Sequence, residues 1–196
     1  MMGHSHMLIG AAAGLGAAYL LQAPAPLEMM SVATFTALLP DIDHPQGTLR
    51  RKIHLIDDLL LFWLPHRGIT HTLAALALVS LVAFILYHQA LISLPIAVAI
   101  GAGYASHLVA DMMTVSGLKA AWPLSDRTLY LWPSLRTGGI TESLVCVLVF
   151  AGIGWLMVEM RMVDVAQLQA RAESLYQQFD PQQWGGILDL IGRFPL

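Results

Sequence analysis

Formal charge is what this sequence has least of. Asp, Glu, Lys and Arg together make up 12% of it, and 57% is hydrophobic, for a mean hydropathy of +0.65. Before Asp41 the only charged residue is Glu28, and from Gly68 to Ala110 there is none. An ordinary soluble domain carries roughly 25% charged residues, whereas an uncharged stretch of this length accommodates two membrane crossings of about 20 residues each. The composition therefore points to an integral membrane protein, the alternative being a very apolar soluble helical bundle. The net charge of −3 is uninformative about partners, and no basic run is long enough to suggest nucleic acid, so none is expected. The single cysteine, Cys146, rules out an intrachain disulfide and lies in an apolar segment, where a buried, inert thiol is expected. No Lys or Arg precedes the first apolar run, so the start lacks the basic region of a signal peptide. Retention of the early histidines is expected despite Ala23-Pro24-Ala25, which faintly resembles a cleavage site. Neither an internal repeat nor a low-complexity tract is present.

What is there is a series of apolar runs. The first, Met7 to Leu21, is rich in Gly and Ala. Pro24 and Pro26 mark a turn, and a second run, Leu27 to Leu39, ends at Pro40. Both are short for full spans, as in a tilted or partly covered hairpin. Residues 53–64 alternate apolar and acidic positions, as an interfacial helix would. Thr70 is placed to cap the next helix, Leu73 to Tyr87. A short connection leads to a helix from about Ile96 to Met113, whose Gly101 and Gly103 allow close packing. The 114–139 loop carries Trp122 and Trp132, suited to a membrane-interface belt. The last long apolar run is Ser143 to Val158. The sequence thus divides into an all-α membrane-embedded domain of about five inserted helices, residues 1–160, and an amphipathic tail, 161–196, of one or two short helices.

Five crossings that start inside place Arg50, Arg51, Lys52, Arg67, Lys119, Arg127 and Arg136 on the inner side. That is seven of the ten Lys and Arg residues, as the positive-inside tendency requires. The same threading gathers the candidate metal ligands at the inner, cytoplasmic face. His66 and His71 flank Gly68 in a turn that can aim both imidazoles at one spot. His107 and Asp111 share a helix face at i, i+4 spacing. Asp41, Asp43 and His44 follow the second apolar run, and His6 and Glu142 reach the same face. His54 and His88 are read as non-ligands, His88 because it falls on the opposite side.

Carboxylates and imidazoles without thiolates suit Zn, Mn or Fe, and the oxygen share leaves Mg open. So many ligands would hold two or three ions bridged by an aspartate, and ions about 3.5–4 Å apart can activate water and grip a phosphoryl oxygen together. Each cluster also has a plainer reading. His107 with Asp111 could be a polar contact between helices, Asp41 and Asp43 could end a helix, and His66 and His71 could belong to an interfacial loop. Arg67 could hold a substrate phosphate or a lipid headgroup, and His44 could be a ligand or support one. Ionisable groups in apolar segments are functional by default.

At these motifs the sequence resembles the bacterial inner-membrane family described as LexA-regulated, membrane-bound, metal-dependent hydrolases, the YdjM-like family. The matching segments are His6-Met7-Leu8-Ile9-Gly10, Leu38-Leu39-Pro40-Asp41-Ile42-Asp43-His44-Pro45 and His66-Arg67-Gly68-Ile69-Thr70-His71-Thr72. They continue with Ser106-His107-Leu108-Val109-Ala110-Asp111, Thr114, Gly117, Trp122-Pro123 and Glu142. That family is in turn similar to zinc-dependent phospholipases C and P1-type nucleases, all-helical enzymes with three zinc ions, whose His-x-x-x-Asp element His107 and Asp111 match. The chain departs from them in lacking an N-terminal tryptophan ligand and in carrying Gly138 four residues before Glu142, where a ligand histidine stands in those enzymes.

The resemblance implies a hydrolase in the bacterial inner membrane with two or three divalent ions, zinc first among them. His6, Asp41, Asp43, His44, His66, His71, His107, Asp111 and Glu142 are the candidate ligands. Asp43 and Arg67 are the catalytic candidates, Arg67 neutralising phosphate on a lipid or lipid-linked substrate. The competing function is a metal-ion transporter or sensor without catalysis, which would more naturally hold its ligands near the bilayer midplane. An intramembrane protease or amidase is a third option, and His-Glu-x-x-His is missing.

Overall fold

The structure is a computed structural model that describes residues 1–43, 69–163 and 165–178. Its α-helices are α1 (Gly3–Leu20), α2 (Pro26–Thr36), α3 (Leu73–His88), α4 (Leu94–Met112), α5 (Ile140–Glu159) and α6 (Val165–Gln178), with a 3-10 turn at Leu39–Asp43. No strand occurs among the described residues; two isolated bridges, Thr114 with Leu135 and Leu118 with Leu129, lie in the loop after α4. The chain separates into Met1–Leu156 and Met157–Leu196. The proposed interfacial helix at 53–64 lies outside the described residues.

Local chemistry explains the boundaries. Gln22 takes a left-handed backbone (φ 49), and the Ala23 N–H returns to the Ala18 carbonyl at 2.9 Å, which ends α1. Pro26 and Pro95 open α2 and α4, where their fixed φ suits the first turn and no backbone N–H is missed. The second apolar run does not stay α-helical up to Pro40. Pro40 has no N–H to offer the Thr36 carbonyl four residues back, and α2 ends at Thr36 before the chain tightens into the 3-10 turn. The cap of α3 is Thr72, not Thr70. Thr72 holds an extended backbone (φ −119, ψ 159) and its hydroxyl accepts the Ala75 N–H at 3.1 Å, while the Thr70 hydroxyl pairs with His71.

Helix α4 is the centre of the first unit and packs against α1, α2 and α3. Small residues set how close it comes. A methyl group on Gly103 would run into the backbone of Ala33 and the hydroxyl of Thr36. On Gly10 and Gly14 it would come within 2.6 Å of the Ala37 and Ala33 side chains, so α1 and α2 form the expected close hairpin. Gly101 is less demanding, since the nearest atom is the Ser80 hydroxyl at 3.4 Å. Tyr104, Leu108, Leu118 and Ala120 make a buried cluster against Ala75, Leu76, Val79 and Met112. The 113–139 loop is pinned over the end of α4: Leu131 and Leu135 donate their N–H groups to Met112 and Met113 at 2.7 and 2.6 Å. The Leu73 N–H reaches Ala120 at 2.8 Å and joins that loop to the start of α3.

By length and composition, α4 and α5 are long enough and apolar enough to cross a membrane, and α3 is apolar but shorter. Helix α5 leaves most of its apolar surface uncovered, with Leu148 and Phe150 exposed. A helix apolar on every face finds its natural solvent in hydrocarbon.

Candidate metal centre

Four chain segments meet at one buried point. The first turns of α1 bring His6, the 3-10 turn brings Asp41, the residue before the α3 cap is His71, and the last two turns of α4 supply His107 and Asp111. His6, His71 and His107 are each at most 2% exposed. Helix periodicity places His107 and Asp111 on one face, and their side chains do converge, with His107 Nε2 3.6 Å from Asp111 Oδ2.

The proton positions follow from the partners. His107 Nδ1 lies 2.7 Å from the carbonyl oxygen of Ala37, which can only accept, so Nδ1 carries the hydrogen. In the neutral ring Nε2 is then a bare lone pair. It faces His71 Nε2 at 3.2 Å, Asp111 Oδ2 at 3.6 Å and Asp41 Oδ1 at 3.8 Å. His71 Nε2 in turn lies 3.4 Å from Asp41 Oδ1 and 3.7 Å from Asp111 Oδ2, and His71 Nδ1 sits 3.0 Å from the Thr70 hydroxyl. A hydrogen on His71 Nε2 would satisfy one of these contacts, and a cation lying among the nitrogens and carboxylate oxygens would satisfy all of them.

A divalent ion fits this donor set. Bonds of about 2.0–2.1 Å around a tetrahedral ion separate its ligand atoms by roughly 3.3–3.4 Å. The five separations just given run from 3.2 to 3.8 Å. Two groups of ligand atoms lie mutually within 4.8 Å, one of His6, Asp41 and His107, the other of His71, His107 and Asp111. They share His107, which has one lone pair to give, so it can serve only one ion. A backbone carbonyl that accepts from the second ring nitrogen, as that of Ala37 does here, is a usual outer support of a metal-bound histidine. His6 shows the same demand from another side: its Nδ1 is buried with no hydrogen-bond partner among the described residues. Its ring stacks on His107 at 3.8 Å and 17°, and its Nε2 is 3.3 Å from Asp111 Oδ1. The same oxygen lies 3.0 Å from the α-amino group of Met1.

Burial opposes the charge on Asp41, but a His71 ring that carries its hydrogen on Nε2, together with the neighbouring His107, His6 and His71, outweighs it and holds the carboxyl below its ordinary range. Asp41 is therefore a carboxylate at neutral pH.

Of the residues anticipated as ligands, the structure brings together His6, Asp41, His71, His107 and Asp111. Glu142 is buried close by, at 3% exposure, but belongs to neither group and accepts from Met2, Ser5 and Gly138 instead. His44, His66 and Arg67 lie outside the described residues, as do His54 and the side chain of Asp43. His88 closes α3 at the end away from His71, about 24 Å along a helix of 16 residues. His4 is exposed.

Sequence reasoning passed over Tyr104, whose hydroxyl donates to the Thr70 carbonyl at 2.5 Å and so steadies the His71 turn. Its place three residues before His107, on the same helix face, was the available signal. The Ala37 carbonyl had no such signal, because every residue offers one.

Against known proteins, residues 1–173 match the family described as YdjM inner membrane protein. This chain belongs to that family. It is 32% identical over 148 residues to YvsG of Bacillus subtilis (strain 168), a protein described as uncharacterized, covering 74% of this chain and 87% of that one. It is also 32% identical over 127 residues to the inner membrane proteins YdjM of Escherichia coli (strain K12) and Shigella flexneri, covering 63% of this chain and 64% of theirs. No solved structure matches. Membership agrees with the apolar helices, and the buried His and Asp groups are compatible with a metal-dependent enzyme.

Proposed function

We propose that this chain is a membrane-bound, metal-dependent hydrolase, a phosphoesterase that acts on a lipid or lipid-linked phosphate at the cytoplasmic face of the inner membrane. The observation that supports the reading is the buried pair of imidazole Nε2 atoms 3.2 Å apart, facing two aspartates, because one cation would answer all four groups at once. Asp41, His71, His107 and Asp111 would hold an ion, with His6 beside Asp111. Zinc suits the mixed imidazole and carboxylate set best. Such an ion would supply Lewis acidity toward a phosphoryl oxygen and a water acidified toward neutral pH.

The rest of the site is assigned to this chain's own residues. Arg67 would pair with the substrate phosphate in bidentate fashion, and Asp43 would complete the acidic side. His107 and Asp111 stand in the last turns of α4 and Asp41 follows the end of α2. Ligands at helix ends suit a headgroup substrate whose acyl chains stay in the bilayer, and five membrane-inserted helices with an internal N-terminus would put them on the cytoplasmic side. A transporter or sensor would bind the ion without turnover. The test is release of phosphate or headgroup from phospholipids and polyprenyl phosphates in detergent micelles, with metal content measured on the same preparation. Turnover supports the enzyme; stoichiometric metal with no turnover on any substrate moves the assignment to transport or sensing.

A further inference from the structure

Glu142 has the credentials of a ligand, a buried carboxylate near the histidines, and its surroundings say otherwise. Its Oε1 accepts the Met2 N–H at 2.9 Å and the Ser5 hydroxyl at 2.5 Å. Its Oε2 accepts the Gly138 N–H at 2.7 Å, from a glycine held at φ +74. A carboxylate offers about four acceptor directions; three are taken here by neutral donors. Its charge also complements the start of α5, where unpaired N–H groups favour an anion. The oxygens of Asp41 and Asp111, by contrast, face imidazole nitrogens, Asp111 Oδ1 also taking the Met1 α-amino group at 3.0 Å.

Ser5 and His6 are neighbours in the first turns of α1, and successive side chains of a helix point about 100° apart. With Ser5 drawn to Glu142, His6 turns toward Asp111 at 3.3 Å and lies flat on the His107 ring. Cys146, one turn along α5 from Glu142, adds a contact from its thiol to the Ser5 hydroxyl at 3.5 Å. We propose that Glu142 is a positioning residue: it takes no ion itself, and it clamps the first turn of α1 so that His6 is presented to the metal centre. The inference rests on the metal reading of that centre.

The test uses the full chain in detergent with Co2+ as probe, reading its visible absorption and its affinity by chelator competition. Glu142→Gln keeps a carbonyl oxygen for the Met2 and Ser5 donors that hold α1 and gives up only the Gly138 bond, so it should retain the wild-type spectrum with affinity changed by no more than about threefold. Glu142→Ala should weaken Co2+ by about tenfold, the scale for loss of an outer support, and shift the spectrum as His6→Ala does. The Glu142→Ala/His6→Ala double variant should bind no more weakly than His6→Ala alone, because the two act through one contact. Ser5→Ala should move the spectrum in the same direction, and it decides the matter with Glu142→Gln if Glu142→Ala does not fold. A Glu142→Gln protein that loses Co2+ as completely as Asp111→Ala would make Glu142 a ligand and overturn the proposal. Additive losses from Glu142→Ala and His6→Ala, or an unmoved spectrum in Ser5→Ala, would overturn it too. Wild type that binds no Co2+ would refute the metal reading itself and this proposal with it, an outcome distinct from the others.

Discussion

His107 donates its Nδ1 hydrogen to the carbonyl oxygen of Ala37, which caps the end of α2, across 2.7 Å and seventy positions of sequence. That bond turns the Nε2 lone pair toward His71, Asp41 and Asp111, and it ties the face of α4 that carries His107 and Asp111 to the segment that delivers Asp41. The candidate metal centre and the packing of α2 on α4 are therefore one structural unit.

Metal content should follow. Wild-type protein purified without chelator should carry at least one equivalent of transition metal by elemental analysis. His107→Ala with Asp111→Ala should lose at least one equivalent, having no replacement lone pair or carboxylate. Less than half an equivalent in wild type would sink the reading.

Removal of the ion should cost stability, because a ligand bound only by the folded state stabilises it by about 2.7 kcal/mol at a hundredfold excess over its Kd. For a unit of this size that corresponds to a fall in Tm of roughly 5–10 °C. Thermal unfolding in detergent with and without EDTA measures it, and an unchanged Tm in wild type would contradict a built metal site.

Packing gives a prediction independent of chemistry. Gly103→Val would force side-chain carbon into the Ala33 backbone and the Thr36 hydroxyl, while Gly101→Ala meets only the Ser80 hydroxyl at 3.4 Å. Overpacking of that kind costs about 1–3 kcal/mol or more, so Gly103→Val should unfold well below wild type and Gly101→Ala within a degree or two. Equal behaviour of the two would contradict the close approach of α4 to α2.

Much of this was legible in sequence where the cause is local. The apolar runs became helices near the expected positions, and the i, i+4 spacing of His107 and Asp111 was enough to set their side chains together. Small residues in α4 pointed to close packing, although only the structure tells Gly103 from Gly101. What was not legible depends on partners distant in the chain. Thr70 and Thr72 are equal as caps on paper, and the choice falls to Thr72 because Thr70 bonds His71. Glu142 reads as one more ligand until its donors are known, and two of them are backbone N–H groups, which no residue type announces.

Topology is open to direct measurement. With five inserted helices and an internal N-terminus, the 41–70 and 114–140 loops would be cytoplasmic and the tail external, in line with the seven basic residues of those loops against Arg161, Arg171 and Arg193. A reporter fused after Leu196 should be active only outside the cytoplasm. Activity confined to the cytoplasm would require an even number of crossings or an N-terminus on the outer side.

The last prediction concerns where the chemistry happens. Asp41 is held as a carboxylate by His71, His107 and His6 and stands at the rim of the centre, partly open, while the histidines are enclosed. Asp41→Asn keeps volume and shape but removes one negative charge from the cage, so the ion would be held more loosely and polarise a phosphate less well. Turnover of a lipid or lipid-linked phosphate should fall by at least about a hundredfold, the scale of several kcal/mol of transition-state charge stabilisation, with membrane insertion unchanged. Asp43→Asn should do the same if Asp43 completes the acidic side. Arg67→Ala should instead spare metal content and weaken the substrate, because its role is to meet the phosphate. The measurement is headgroup or phosphate release from micellar substrates beside metal content for each variant. Wild-type turnover in Asp41→Asn would exclude this mechanism, and loss of metal in Arg67→Ala would remove Arg67 from the substrate side of the site.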